Sequence, residues 1–111
     1  IRKGMVTMKI VAVTACPSGV AHTYMAAEAL EKAAKKRGIS IKVETQGSIG
    51  VENEITQQEA DEATVVILTK DMGIKNTHRF ANKPIIQIAV GDAIKKADLI
   101  MDKILEKYGN K

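Results

Sequence analysis

Two short segments of almost unbroken apolar residues, 10–13 and 64–68, constrain the fold of this chain more than any other feature. A strand that is apolar at successive positions has both faces buried, which is typical of the interior of a parallel sheet. Residues 41–44 instead alternate between apolar and polar side chains, which indicates a half-exposed strand at a sheet edge. A further apolar segment, 85–88, follows Pro84. The sequence therefore predicts four strands, with the first and third in the centre.

Helical patterns separate these strands. Apolar residues recur at helical spacing over about residues 23–37, which predicts the first helix. Thr56 and Glu59 form a capping-box pattern, which predicts the start of a second, short helix. The segment 70–83 is long for a structureless loop, so we expect part of it to form a short helix.

The last helix is predicted to begin with Asp92 as its cap and to end at Gly109. Its apolar positions are spaced three or four residues apart, which assigns them to the core: Ile94, Ala97, Met101, Ile104, Leu105 and Tyr108.

This alternation of strands and helices predicts an α/β fold with a four-stranded parallel sheet of order 2-1-3-4 and helices on both faces, a Rossmann-like three-layer sandwich. We expect residues 1–8 to be a lead-in segment and residues 9–111 to form a single domain. Ligands of such sheets bind at the carboxyl ends of the strands, where the strand order reverses. The loop after the first strand lies at this point, and segments 46–50 and 70–76 are expected to form its rim.

The one cysteine of the chain lies in that loop, directly before the first helix. The N-terminus of a helix presents unpaired N–H groups and the positive end of the helix dipole, which suit a phosphate. The same field lowers the pKa of a thiol and favours the nucleophilic thiolate. We therefore hypothesise that Cys16 is a nucleophile in a phosphate-binding loop whose other members are Pro17, Ser18, Gly19, Val20, Ala21, His22 and Thr23.

Ordinary roles for the same residues stay open at this point. A lone cysteine is often a small buried apolar residue. Ser18 and Thr23 are also typical loop and capping residues, and His22 is equally consistent with an exposed surface histidine.

The loop resembles that of cysteine phosphatases in its spacing but differs at one position. Those enzymes have Arg six residues after the cysteine, where this chain has His22. An Arg side chain offers a charged, bidentate fork to phosphoryl oxygens, and a histidine does not. A phosphatase also needs a general acid, for which Asp71 is the one candidate near the site. The loop therefore suits holding a phosphoryl group and passing it on, while a cysteine phosphatase or reductase and a non-catalytic regulatory binding module remain alternatives.

Composition excludes several other classes. The net charge of +4 is spread along the helices and aromatic residues make up 3 %, which does not match a nucleic-acid-binding surface. With Cys16, His22 and His78 as the only soft ligands, we expect no metal site. A lone cysteine fits a reducing cytoplasm, and no apolar run approaches the roughly 20 residues of a membrane helix. We therefore expect a cytoplasmic domain without direct membrane insertion.

Residues 15–23 resemble the active loop of the fructose-type enzyme IIB component of the bacterial phosphoenolpyruvate-dependent sugar phosphotransferase system. Ser18 stands where that family usually has Thr, which keeps the hydroxyl. The resemblance covers about residues 8–108 and includes, beyond the loop, Val43-Glu44-Thr45-Gln46-Gly47-Ser48, Gly50, Glu52-Asn53-Glu54 and Arg79-Phe80.

This resemblance implies that Cys16 accepts a phosphoryl group from a phosphohistidine of the IIA component. Cys16 would then pass the group to a sugar held by the membrane-embedded IIC permease component, at the inner face of the membrane. Fructose is the family default, while mannose or a related hexose derivative stays open. The resemblance implies no metal or other cofactor at this step. Gln46, Ser48 and Asp71 are our candidates for partner contacts on the rim of the site.

Overall fold

A computed structural model describes residues 8–15, 20–47 and 50–108. Cys16, Pro17, Ser18, Gly19, Ser48 and Gly109 lie outside the described residues, as does most of the lead-in segment. In chain order, the secondary-structure elements are β1 (Lys9–Thr14), α1 (Val20–Lys36), β2 (Ser40–Gly47), β3 (Gly50–Glu52), α2 (Gln57–Glu62), β4 (Val65–Thr69), a 3₁₀ helix (Thr77–Phe80), β5 (Ile85–Ile88), α3 (Val90–Lys95) and α4 (Ala97–Tyr108).

The predicted α/β class is confirmed, and so is the order of the four parallel strands. The described strands form one sheet of order β3-β2-β1-β4-β5. Strand β1 pairs in parallel with β2 on one side and with β4 on the other, and β5 pairs in parallel with β4. The chain thus passes from one side of β1 to the other between β2 and β4, which creates the expected switch point.

The predicted number of four strands is wrong, because the sheet has a fifth strand. β2 continues to Gly47, and β3 begins at Gly50 and pairs with β2 in antiparallel fashion. Gly50 has a φ of 109°, a conformation that side-chain-bearing residues rarely adopt. β3 is therefore the edge strand on this side, and β2 lies one strand further in than its alternating pattern indicated.

Helices cover both faces of the sheet, as predicted. One face packs against α1, α3 and α4 through side chains such as Leu30 and Ile104. The other face packs against α2 and the 3₁₀ helix, with Phe80 as its largest buried side chain. Met8, which we had assigned to the lead-in, is also buried in the first of these clusters.

Several helix boundaries differ from the prediction. α1 begins at Val20, three residues before the predicted start. The predicted last helix is two helices, because the backbone of Lys96 departs from helical geometry between α3 and α4. Asp92 is not the cap; it lies in the first turn of α3, and Ala89 occupies the N-cap position. The short helices predicted after Thr56 and within residues 70–83 are confirmed.

Candidate functional site

The end of β1 is joined to the end of β4 by a side chain. The hydroxyl of Thr69 accepts a hydrogen bond from the Ala15 N–H at 3.0 Å and donates one to the Ala15 carbonyl at 3.2 Å. Thr69 is 1 % exposed and Ala15 is fully buried. The residue directly before Cys16 is therefore fixed at the switch point of the sheet.

A second buried threonine joins β1 to the first turn of α1. The Thr14 hydroxyl donates a hydrogen bond to the Thr23 carbonyl at 3.2 Å. Thr23 is itself 2 % exposed, and its hydroxyl has no hydrogen-bond partner among the described residues. A buried hydroxyl without a partner is costly, so Thr23 Oγ1 is available to a group that enters this site.

The predicted loop residues fall into two groups. Cys16, Pro17, Ser18 and Gly19 lie outside the described residues and connect β1 to α1 in sequence. The other members belong to α1: Val20 begins the helix, Ala21 and His22 are exposed in its first turn, and Thr23 is buried. The N–H groups of this first turn have no intrahelical partners, as at any helix start.

An open cleft of about 350 Å³ lies beside the first turn of α1. It is bordered by α1, by the loop after β4 and by α3. Asp71 forms part of its wall, and its carboxylate accepts a hydrogen bond from the Val90 N–H at 2.7 Å. The cleft is lined by His22, Met25, Asp71, Val90, Gly91, Ile94 and Lys95.

Two predicted rim residues differ in their exposure. Asp71 is exposed and lies at the cleft, which is compatible with a contact to a partner. Gln46 is 5 % exposed, and its side-chain amide binds Glu44 and the backbone of Lys75. Ser48, the third rim candidate, lies outside the described residues. The partner contacts themselves stay predictions.

Sequence reasoning missed a buried ion pair next to this site. Arg79 binds Glu44 with two hydrogen bonds, of 2.7 Å from Nη1 and 3.0 Å from Nη2. Glu44 is 1 % exposed and Arg79 is 6 % exposed. The only signal was the resemblance itself, which included both residues without indicating that they touch.

The Glu44 carboxylate is ionised because its surroundings supply several donors. Burial alone would raise the pKa of this carboxyl. The hydrogen bonds from Arg79, from the Ile55 N–H at 2.8 Å and from Gln46 outweigh burial and lower the pKa below the usual value for Glu. The Glu44 carboxyl is therefore ionised at neutral pH.

Exposed apolar side chains surround the same end of the sheet. Tyr24 and Met25 lie in the first two turns of α1, Met72 follows β4, and Val51 belongs to β3. The Tyr24 hydroxyl also donates a hydrogen bond to the Glu52 carboxylate, which connects α1 to β3. In the described parts of the chain, no helix combines the length and the apolar character needed to cross a membrane.

This geometry defines an α/β protein with a switch point at the carboxyl ends of its parallel strands, the place where ligands of such sheets bind. A family model described as "PTS system, Lactose/Cellobiose specific IIB subunit" matches residues 11–106. The chain is 66 % identical over 96 residues to the PTS system fructose-like EIIB component 2 of Escherichia coli (strain K12), which covers 86 % of this chain and 91 % of that protein.

Two further relatives agree. The fructose-like PTS system EIIBC component of Escherichia coli (strain K12) is 47 % identical over 100 residues, which covers 88 % of this chain and 21 % of that longer protein. A crystal structure of a domain from the fructose-specific IIABC component of Borrelia burgdorferi has a TM-score of 0.83 and 49 % identity, covering 90 % of this chain and 95 % of that domain. The chain therefore belongs to the PTS IIB family, and within it to the fructose-type IIB components of the sugar phosphotransferase system.

Proposed function

We propose that this chain is a phosphoryl carrier in which Cys16 is the residue that is phosphorylated. The observation that supports this most directly is the junction around the cysteine. Ala15 is held by Thr69 at the end of β1, and α1 begins at Val20, so residues 16–19 connect a buried strand end to a helix N-terminus. An anion next to a helix N-terminus is stabilised by free N–H groups and by the helix dipole.

The reaction has two steps. In the first, the Cys16 thiolate attacks the phosphorus of a phosphohistidine on the IIA component, so the S–P bond forms while the P–N bond breaks. In the second, a sugar hydroxyl attacks the phosphocysteine, so an O–P bond forms, the S–P bond breaks and the hydroxyl proton is released. Both transfers need the charge on the phosphoryl oxygens to be neutralised while donor and acceptor are in line.

The main-chain N–H groups of residues 18–23 supply most of that neutralisation in this proposal. The unpartnered, buried hydroxyl of Thr23 supports an additional hydrogen bond to the phosphoryl group. The Ser18 hydroxyl is proposed to add another. His22 is exposed at the cleft, which suits a contact to the incoming donor more than a role in the chemistry.

The partners and the sugar follow from the relatives. According to its name, the EIIBC relative combines the matched region with a IIC component in one chain. This supports a IIC permease as the component that holds the accepting sugar. The names of the relatives support fructose or a closely related sugar. We propose that the domain acts on the cytoplasmic side of the membrane, in contact with IIC.

The test is phosphorylation by a ³²P-labelled, phosphorylated fructose-type IIA component. We expect the wild-type protein to take up one label, with mass spectrometry of the peptides locating it on Cys16, and Cys16→Ser to take up none. Ser40→Ala is the matched control. It removes an exposed hydroxyl at the opposite end of β2 and should be labelled like the wild type.

Two other results would favour the alternatives. Steady hydrolysis of an aryl phosphate would indicate a phosphatase, and an unlabelled wild-type protein would indicate a non-catalytic binding module. Labelling of Cys16→Ser at the wild-type level would exclude Cys16 as the carrier.

A further inference from the structure

The proposed chemistry leaves the segments Glu44–Gly47 and Arg79–Phe80 without a role, although they are far apart in sequence and the structure brings them together. Gln46 is the last residue but one of β2, at the carboxyl end of the sheet. Its side-chain carbonyl accepts the Lys75 N–H at 2.9 Å, and its side-chain N–H donates to the Lys75 carbonyl at 3.1 Å. The amide thus binds one residue of the loop after β4 at two points, as a neighbouring strand would.

The buried ion pair fixes the orientation of this amide. Gln46 Nε2 also donates to Glu44 Oε2 at 2.7 Å, so its N–H₂ group must face Glu44 and its oxygen must face the Lys75 N–H. Glu44 is held in turn by Arg79. Arg79 also donates to the carbonyls of Lys75, at 3.4 Å, and Asn76, at 2.8 Å.

Main-chain hydrogen bonds hold the two ends of the loop between β4 and the 3₁₀ helix, from the Lys70 N–H to the Ile88 carbonyl at 2.8 Å and from the Arg79 N–H to the Asn76 carbonyl at 3.5 Å, and side chains hold its middle. Among the described residues, segment 71–75 makes no hydrogen bond between main-chain groups. Its anchors are the contacts of Gln46 and Arg79 at Lys75, the packing of Ile74 against the core, and the Asp71 carboxylate on the Val90 N–H. Between these anchors the loop exposes Met72 beside the site.

We propose that Gln46 is a positioning residue for phosphoryl transfer, whose amide, oriented by the Glu44–Arg79 pair, sets the loop 70–76 in the shape that the phosphorylated donor meets. This inference rests on the proposed function. Gln46 does not touch the phosphoryl group; it acts through Lys75 and the loop that carries Asp71 to the cleft opposite His22. Loss of the amide therefore weakens docking of the donor and leaves the chemistry at Cys16 intact.

The kinetic test separates these effects. With ³²P-labelled, phosphorylated IIA in excess, each molecule is labelled once, so the rate of labelling gives a KM, the donor concentration at half the maximal rate, and a maximal rate constant. We expect Gln46→Met to raise this KM about tenfold, because without its hydrogen bonds the loop adopts the docking shape only about a tenth of the time, while the maximal rate constant changes less than about twofold. Gln46→Asn keeps an amide but is one methylene too short to reach Lys75, so it should show the same change. Equal KM values for the wild type and both variants would overturn the proposal.

The matched control is Gln57→Met. Gln57 likewise uses its side-chain amide to bind a main-chain carbonyl, that of Arg79 at 3.0 Å, but it lies on α2 and its other hydrogen bond is to Asp61 of the same helix. We expect wild-type kinetics for this variant. A KM increase of the same size in Gln57→Met would show that general loosening, not the Gln46 contacts, causes the effect.

A measurement on the unaltered protein covers the case in which the Gln46 variants do not fold. Hydrogen exchange should show the Lys75 N–H protected although Lys75 is an exposed loop residue, and rapid exchange there would overturn the proposal. A wild-type protein that takes up no label refutes the proposed function itself. Labelling of the wild type with unchanged KM in the variants refutes only the role of Gln46.

Discussion

Glu44 is a charged side chain inside a small domain. The free-energy cost of removing its charge from water is offset only while every hydrogen-bond partner is present. The carboxylate receives hydrogen bonds from Arg79, Gln46 and the Ile55 N–H. Removing one member of a buried pair leaves the other charge without a partner, which is far more costly than losing a surface pair. The stability of the domain therefore depends on this pair being intact.

We expect Glu44→Gln to lower the free energy of unfolding at pH 7 by about 3 kcal/mol, because Arg79 stays buried and charged. The loss should depend on pH. The pKa of Glu44 is lowered by folding, so its contribution is complete above the pKa of an unfolded Glu, about 4.3, and is lost as pH falls through the folded value. The difference between wild type and variant should therefore shrink in acid.

Urea unfolding of both proteins at pH 7, 5, 4 and 3 measures this. Glu62→Gln is the control, since it removes a partner of Lys9 in an exposed pair and should change stability little at any pH. A difference between wild type and Glu44→Gln that stays constant down to pH 3 would contradict the assignment.

The alternation of residues 41–44 correctly predicted a strand but gave the wrong environment for Glu44, which is buried. A polar side chain in such a pattern normally faces solvent. Here Ile55 and Arg79 of the 3₁₀ helix contact the Glu44 carboxylate, and neither contact is visible in a local pattern. The resemblance identified Gln46 and Arg79, but only the structure shows that they share a network.

At the scale of elements, local signals were reliable where a side chain binds its own helix. Thr56 and Glu59 form both bonds of the predicted capping box: the Thr56 hydroxyl accepts the Glu59 N–H at 3.1 Å, and the Thr56 N–H donates to Glu59 Oε1 at 2.9 Å. The division between α3 and α4 had no such signal. Apolar residues continue at helical spacing across Lys96, so periodicity alone predicts one helix.

We expect Thr56→Ala to lower the free energy of unfolding by about 1 kcal/mol, because the N-terminal N–H groups of α2 lose their acceptor. Chemical denaturation measures the change. Gln58→Ala, at an exposed position of the same helix, should stay within about 0.5 kcal/mol of wild type. Equal losses for the two variants would mean that the cap contributes nothing specific.

At the scale of the whole molecule, the central strands are the most stable part of the sheet. β1 is bonded on both sides and buried from Ile10 onward, and all five residues of β4 are buried. β3 has one partner strand, and its three residues are exposed. The hydrogen bonds of an exposed edge strand open locally at low free-energy cost, whereas the amides of central strands exchange with solvent only through global unfolding.

Hydrogen exchange should therefore be slowest in β1 and β4 and fast in β3. We expect the slowest amides to report the same free energy as urea unfolding, and those of Gly50–Glu52 to report a much smaller one. Protection of β3 amides equal to that of β1 amides would show that β3 belongs to the same cooperative unit as the central strands.

The Thr69 hydroxyl restricts which amino acids can occupy position 69. The pairing between β1 and β4 ends at Val13 and Leu68, so Ala15 lies beyond the last paired residues. Its N–H and its carbonyl are both bonded to one side-chain oxygen, that of Thr69. A short alcohol both donates and accepts a hydrogen bond at that one point without enlarging the buried space. Serine, the other short alcohol, is therefore the replacement that we expect to keep both bonds to Ala15.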